Sequence, residues 1–185
     1  MSGAAQTSYT KNIGNAYPGM PYDLTLLDVL GRFAEGSKIP FGRAVIQGTT
    51  GDTCRLPDEG DQLGNGATPG SAIFLGVTTR EQTYEQYPDG PLASPIGNGE
   101  ISYYRDDPVI DKVGIARQGR IYVLVDAPVN VDDPAFFRVN NGTATEPLGS
   151  FRGAASADHR AIASARFVTA APAGGVAAIQ MVIAI

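Results

Sequence analysis

The sequence predicts a mainly β protein: a small β-barrel or β-sandwich over residues 39–185, preceded by an extended N-terminal arm over residues 1–38. Three observations predict this. From Ile39 onward, short runs of apolar residues alternate with polar ones at the two-residue period of a strand with one buried face. The 185 residues include 23 glycines and 13 prolines, which give the turns that short strands need, since Gly supplies positive φ and Pro removes a backbone donor. That content stays below the roughly 25–30% that marks disordered chains. Residues 1–38 lack the alternation altogether.

Within the arm, "AYPGMPYDLTLLDVLGRFAEGSK" (16–38) mixes Pro, Gly and aromatics with one apolar run, Leu24 to Leu30. Leu26, Leu27 and Leu30 have the i, i+1, i+4 spacing of a short amphipathic helix. An extended arm with apolar anchors fits the same residues, and 38 extended residues reach on the order of 100 Å. Next come "FGRAVIQG" (41–48) as a strand and "TTGD" (49–52) as its turn. "SAIFLGVTT" (71–79) places Ile73, Leu75 and Val77 on one face. "VGIARQGRIYVLVD" (113–126) reads as two strands about a turn at Gln118-Gly119. In the second of them Ile121, Val123 and Val125 face one way and Tyr122 and Leu124 the other, the pattern of a strand covered on both sides.

"PAFFRV" (134–139) and "SARFVTA" (164–170) read as shorter strands, and "APAGG" (171–175) turns into the last one. There Ile179, Met181, Ile183 and Ile185 share a bulky face opposite the mostly small Val176, Ala178, Gln180, Val182 and Ala184. Burying four such side chains contributes at most roughly 6–12 kcal/mol, comparable with the roughly 5–15 kcal/mol of a whole domain. The uncharged C-terminus is therefore expected to pair inside a sheet. Two segments, 57–71 and 81–100, are too polar and too rich in Gly and Pro for core strands; loops of that length are uncommon unless functional.

Composition narrows the function classes. A net charge of −5, a pI of about 4.8 and the lack of any Lys/Arg cluster argue against a nucleic-acid partner. The N-terminus has no apolar stretch of secretory type. The densest apolar part of the C-terminus is about ten residues, where a membrane helix needs roughly 20. Cys54 is the single cysteine, so no intrachain disulfide is expected, and assembly in a cytoplasm fits.

Chemistry-bearing residues are sparse, and the expectation is a non-enzyme with no catalytic residue, no metal site and no cofactor. The one histidine, His159, lies in "SADHRAIAS". Asp158 with Ser156 or Ser164 suggests a nucleophilic triad, but a triad is defined by geometry and no G-x-S-x-G elbow is present. His159 reads instead as a solvated loop residue. Asp58, Glu59, Asp61, Asp106 and Asp107 lack EF-hand spacing and read as wet loop tips. "GNGATPG" (64–70) lacks the Lys of a phosphate loop. Asn141-Gly142-Thr143 reads as a turn. Tyr84, Tyr87, Tyr103 and Tyr104 flank the second long loop, where tyrosines can stack on sugars, pack on a protein partner or cover the rim of the barrel.

Five stretches in order, "YPGMPYD", "IPFGRAVIQG", "IFLGVTTRE", "VGIARQGRIYVLVDAPV" and "ARFVTAAPAGGVAAIQMV", span about Tyr17 to Val182. As a set they resemble a family of tailed-bacteriophage head proteins, the structural cement or capsid decoration proteins. Two departures are visible: Asp132-Asp133-Pro134 stands where such proteins often show Gly-Asp-Pro, and the 81–100 loop is elaborated. The resemblance implies a protein on the outer face of an icosahedral head, made in the host cytoplasm, that clamps major capsid subunits. The arm's anchors would be Tyr17, Pro18, Met20, Tyr22, Leu24, Leu26 and Leu27. Self-association as a homotrimer, or as a homodimer, would suit a barrel with an arm. Two other readings stand beside it: a virion β-module binding host glycans through Tyr84, Tyr87, Tyr103 and Tyr104, and a neck or tail protein.

Overall fold

The alternation from Ile39 onward produces strands throughout. A computed structural model describes residues 16–23, 27–36, 38–58, 61, 72–80, 103–104 and 112–182, and among these every regular element is a β-strand. The longest is β7 (Lys112–Leu124). Its first half closes a five-stranded barrel with β1 (Asp28–Ala34), β4 (Thr53–Arg55), β3 (Ala44–Gln47) and β5 (Phe74–Thr78), in the order β1-β4-β3-β5-β7 and back to β1. Closure joins the edges of the sheet to each other. All contacts in the barrel are antiparallel except β1 with β4. Beside it, β2 (Ile39–Pro40) pairs with β6 (Tyr103–Tyr104) in a small ribbon.

The second half of β7 leaves the barrel and starts another sheet with β11 (Val176–Met181), β10 (His159–Phe167), β8 (Pro134–Arg138) and β9 (Phe151–Arg152), in that order. A parallel bridge between Phe151 and Val125 brings this sheet back to the end of β7. The turn expected at Gln118-Gly119 is therefore absent: the chain runs straight through. Gly119, at φ 114°, is where the pairing changes hands. Gln118 pairs with Asp28 of β1 and Gly119 with Met181 of β11. The residue pair that reads as a hairpin turn is a bend between two sheets.

Two cores follow from this sharing of strands. Phe41, Val45, Cys54, Leu75, Val113 and Ile115 fill the barrel. Ala44, Val77, Ala116, Ile121, Val123, Phe137, Phe151, Phe167, Ile179 and Met181 belong to the second core. Adjacent Ala44 and Val45 point to different cores, which explains why β3 is apolar on both faces. The C-terminal strand is buried as the sequence indicates, with Ile179 and Met181 essentially inaccessible; Ile183 and Ile185 lie outside the described residues.

Asp28–Ala34, grouped with the arm in the sequence reading, is hydrogen-bonded into the barrel as β1, so the helical alternative is not adopted over Asp28–Leu30. The edge of β7 at 112–118 needs backbone partners, and a ladder six residue pairs long satisfies them. An isolated turn of helix would leave them open. β10 is also longer than expected, running from His159 with an irregularity against β8 near Ser164, which has φ 62°.

Candidate functional site

The arm is fixed to the body by a turn that its sequence specifies. Tyr17-Pro18-Gly19-Met20 has Pro at the second position and Gly at the third with φ +84°, and the Met20 N–H donates to the Tyr17 carbonyl at 3.1 Å. This is a type II turn, whose third position requires positive φ. A Cβ at Gly19 would come within 2.8 Å of the Arg80 nitrogen and 2.9 Å of the Thr78 carbonyl. Past the turn, the arm runs antiparallel to β7. Gly19 N–H donates to Tyr122 O at 2.7 Å, Tyr122 N–H to Met20 O at 2.9 Å and Tyr22 N–H to Arg120 O at 3.0 Å. The Arg80 N–H donates to Gly19 O at 2.8 Å, tying the same residue to the barrel.

Side chains reinforce the backbone. The Arg80 guanidinium lies 4.3 Å from the centre of the Tyr17 ring. Pro18 covers Gly42 so closely that a Cβ there would meet it at 2.5 Å. Tyr22 and Tyr122 pack edge to face with centroids 5.4 Å apart. Arg120 bridges Asp23 at 3.0 Å and donates to Gln180 at 3.3 Å. Met20 and Tyr22 nonetheless keep 37% of their surface exposed. The result is an apolar pair held by a rigid backbone. Beside it lies an open groove of about 550 Å³ between the arm, Tyr122, Val176 and the Thr169-Ala170 turn.

A second cluster joins the ends of four strands. Asp126, just past β7, accepts from Arg138 Nε of β8 at 3.0 Å, Ser150 Oγ at 2.9 Å, Arg152 Nε of β9 at 3.0 Å and His159 Nε2 of β10 at 2.9 Å. Arg138 also donates to Glu146 at 2.6 Å. Burial alone would raise the Asp126 pKa. The bonds from His159, Arg138, Arg152 and Ser150 outweigh that and hold the carboxyl well below the usual range. As an ionised carboxylate can only accept, the proton on His159 is assigned to Nε2.

His159 is thus not the solvated loop residue that its polar neighbours suggest; its side chain is fully buried. Ser156 Oγ lies 2.7 Å from its Nδ1, so serine, imidazole and carboxylate do form a chain. The carboxylate is Asp126 rather than Asp158, which instead accepts from Asn141 at 2.7 Å. With the imidazole enclosed and Asp126 committed to two guanidinium groups, this chain is a structural tie that leaves no space for a substrate at the ring.

The family model described as structural cement protein (E217 gp24/Pam3 gp6) matches residues 5–182. The chain belongs to the phage structural cement family. Among solved structures, a chain from "The capsid of Myoviridae Phage XM1" aligns with a TM-score of 0.65 over 96% of this chain and 97% of that one, at 17% identity. At that identity the likeness is one of fold. No curated protein matches. The cement protein is accordingly a structural protein of a phage capsid and a component of the virion.

Of the cement protein's seven expected arm anchors, the structure packs Tyr17 and Pro18 on the barrel, leaves Met20 and Tyr22 partly exposed and sets Leu27 half-buried against the second core. Leu24 and Leu26 lie outside the described residues, as do Tyr84 and Tyr87. Tyr103 and Tyr104 form β6. Among the described residues no three His, Cys, Asp or Glu side chains converge as a metal site would require. The Asp126 cluster escaped the sequence reading because its members are up to 33 residues apart. One signal was present: Asp126 and Arg138 each stand at the end of an apolar strand sequence, and an opposite pair of such charges is how a core accommodates either one.

Proposed function

We propose that this cement protein binds the outer surface of the icosahedral head and fastens contacts between major capsid subunits, with no catalytic chemistry of its own. The observation that carries this reading is the clamped arm. Gly19–Tyr22 is bonded to β7 and to Arg80, so Met20 and Tyr22 are offered to a partner with little ordering left to lose on binding. Tyr17 and Pro18 serve as the arm's internal anchors, and Leu24, Leu26 and Leu27 extend the same contact. Specific interfaces bury roughly 1,200–2,000 Å², more than two side chains supply, so self-association, as a homotrimer or homodimer, adds contacts through effective concentration. An acidic chain suits the face of the shell away from packaged DNA and synthesis in the host cytoplasm.

The test is co-sedimentation with expanded capsids that lack the protein. Wild-type chain should saturate at a simple ratio to the major capsid subunit. A Met20→Asp, Tyr22→Asp chain with an unchanged unfolding transition should fall short of that occupancy at equal concentration. Equal saturation by both would remove the arm from the interface; binding by neither would remove the reading.

A further inference from the structure

We propose that Arg43 is the receptor for a carboxylate side chain presented by a major capsid subunit. The inference rests on the capsid-binding reading above and adds a polar anchor to the apolar pair Met20 and Tyr22. Arg43 stands between Gly42 and the start of β3 and is half-buried. Its Nη1 is buried and meets no hydrogen-bond partner. Arg32 and Arg160 each leave a buried Nε unpaired as well, but both donate to backbone carbonyls through Nη1. Of these three, Arg43 is the one whose guanidinium donates to nothing among the described residues.

Asp126, the carboxylate whose field reaches Arg43, is already engaged by Arg138, Ser150, Arg152 and His159. Burial therefore outweighs that field and pushes the Arg43 pKa down from 12.5 to about 10. A cation whose folded-state pKa lies below its unfolded value opposes folding at every pH below the folded one, so the charge is a cost to the free chain. The residue is nonetheless held in place. The Arg43 N–H donates to Thr78 Oγ1 at 3.0 Å, and the Thr78 N–H donates to Arg43 O at 2.9 Å. A Cβ at Gly149 would meet the Arg43 Cβ at 3.2 Å. Pro18 covers the adjacent Gly42, so Arg43 is continuous with the arm proposed to face the shell. A desolvated guanidinium without an acceptor selects an anion, and its planar fork matches a carboxylate at two nitrogens. A carboxylate on a capsid subunit arrives together with the contact to Met20 and Tyr22, which a dissolved anion lacks.

Arg43→Met in the full chain tests this, since it keeps an apolar stem and removes the charge. Two readouts should move in opposite directions. In the free protein the urea midpoint should hold or rise, because the charge removed has no partner. On expanded capsids that lack the protein, half-saturation should require about thirtyfold more Arg43→Met chain than wild type, the lower end of what truncating one side of a buried charge pair costs. A midpoint lower by more than about 0.5 M urea would make Arg43 a structural residue and overturn the proposal. Equal binding by wild type and Arg43→Met would overturn it too, while leaving the capsid reading intact. No binding by wild type would instead overturn the capsid reading, and the proposal with it. A third measurement separates the sources of the anion: millimolar inorganic phosphate should raise the midpoint of wild type no more than that of Arg43→Met. A rise confined to wild type would assign Arg43 to a dissolved anion and overturn the proposal.

Discussion

Replacing Asp126 by Asn tests the reading of the buried cluster as a structural tie. The change keeps the volume and removes the charge. His159, whose side chain is fully buried, then loses its anionic acceptor, and Arg138, whose side chain is 4% exposed, and Arg152 at 19% each lose their fully buried carboxylate and keep the part-exposed Glu146. Breaking a buried ion pair from one side costs about 3–5 kcal/mol, because the remaining charge stays desolvated. Against a total of roughly 5–15 kcal/mol this is a large fraction. With a urea slope of about 2 kcal/mol/M, the midpoint should fall by about 1.5–2.5 M. Urea unfolding followed by far-ultraviolet circular dichroism and by tyrosine fluorescence reads this directly. A double-mutant cycle with Arg138→Met should be strongly non-additive, since both changes break the same buried Asp126–Arg138 contact. A midpoint drop under about 0.5 M, or additive effects, would refute the claim that Asp126 compensates Arg138.

The same carboxylate predicts the acid limb of stability. Its folded-state pKa lies below the unfolded value near 3.8, so its contribution is present above about pH 4 and is lost as pH falls further; the urea midpoint should decline below that pH in the wild type and decline less in Asp126→Asn. Cys54, whose pKa burial pushes up to about 12, should resist a thiol reagent in the native state and react on unfolding. Gly19→Ala, at φ +84° and within 2.9 Å of two backbone atoms, should release the arm, reduce capsid binding and leave the barrel's unfolding cooperative; full binding by this variant would show the clamp to be dispensable. His159→Gln should lower stability by about 1–3 kcal/mol, the cost of leaving buried partners unsatisfied, and an unchanged midpoint would contradict its place in the cluster.

How much of this was legible in the sequence depended on whether the controlling contact was local. The C-terminal strand was readable because Ile179 and Met181 alternate with small residues, and both are buried. The type II turn at Tyr17–Met20 is written in the Pro-Gly pair. The junction at Gly119 was not readable: Gln-Gly signals a turn locally, and only the pairing with β1 on one side and β11 on the other makes it a bend in one strand. β1 was misplaced for a related reason, since its longest ladder is with Lys112–Gln118, more than 75 residues away. His159 sits among polar neighbours, and nothing beside it announces Asp126. For the arm, the apolar residues were identified but not their division of labour. Tyr17 and Pro18 turn inward because Arg80 and Gly42 are there to receive them, and those partners come from distant parts of the chain.

The most direct test of the central claim is a cryo-electron-microscopy reconstruction of expanded capsids, lacking this protein, after the purified chain has been added back. The account predicts added density on the outer face of the shell, over the contacts between major capsid subunits, with Met20 and Tyr22 turned toward the shell. Density confined to the inner face or to the portal vertex, or an outer density with the arm turned to solvent, would contradict it.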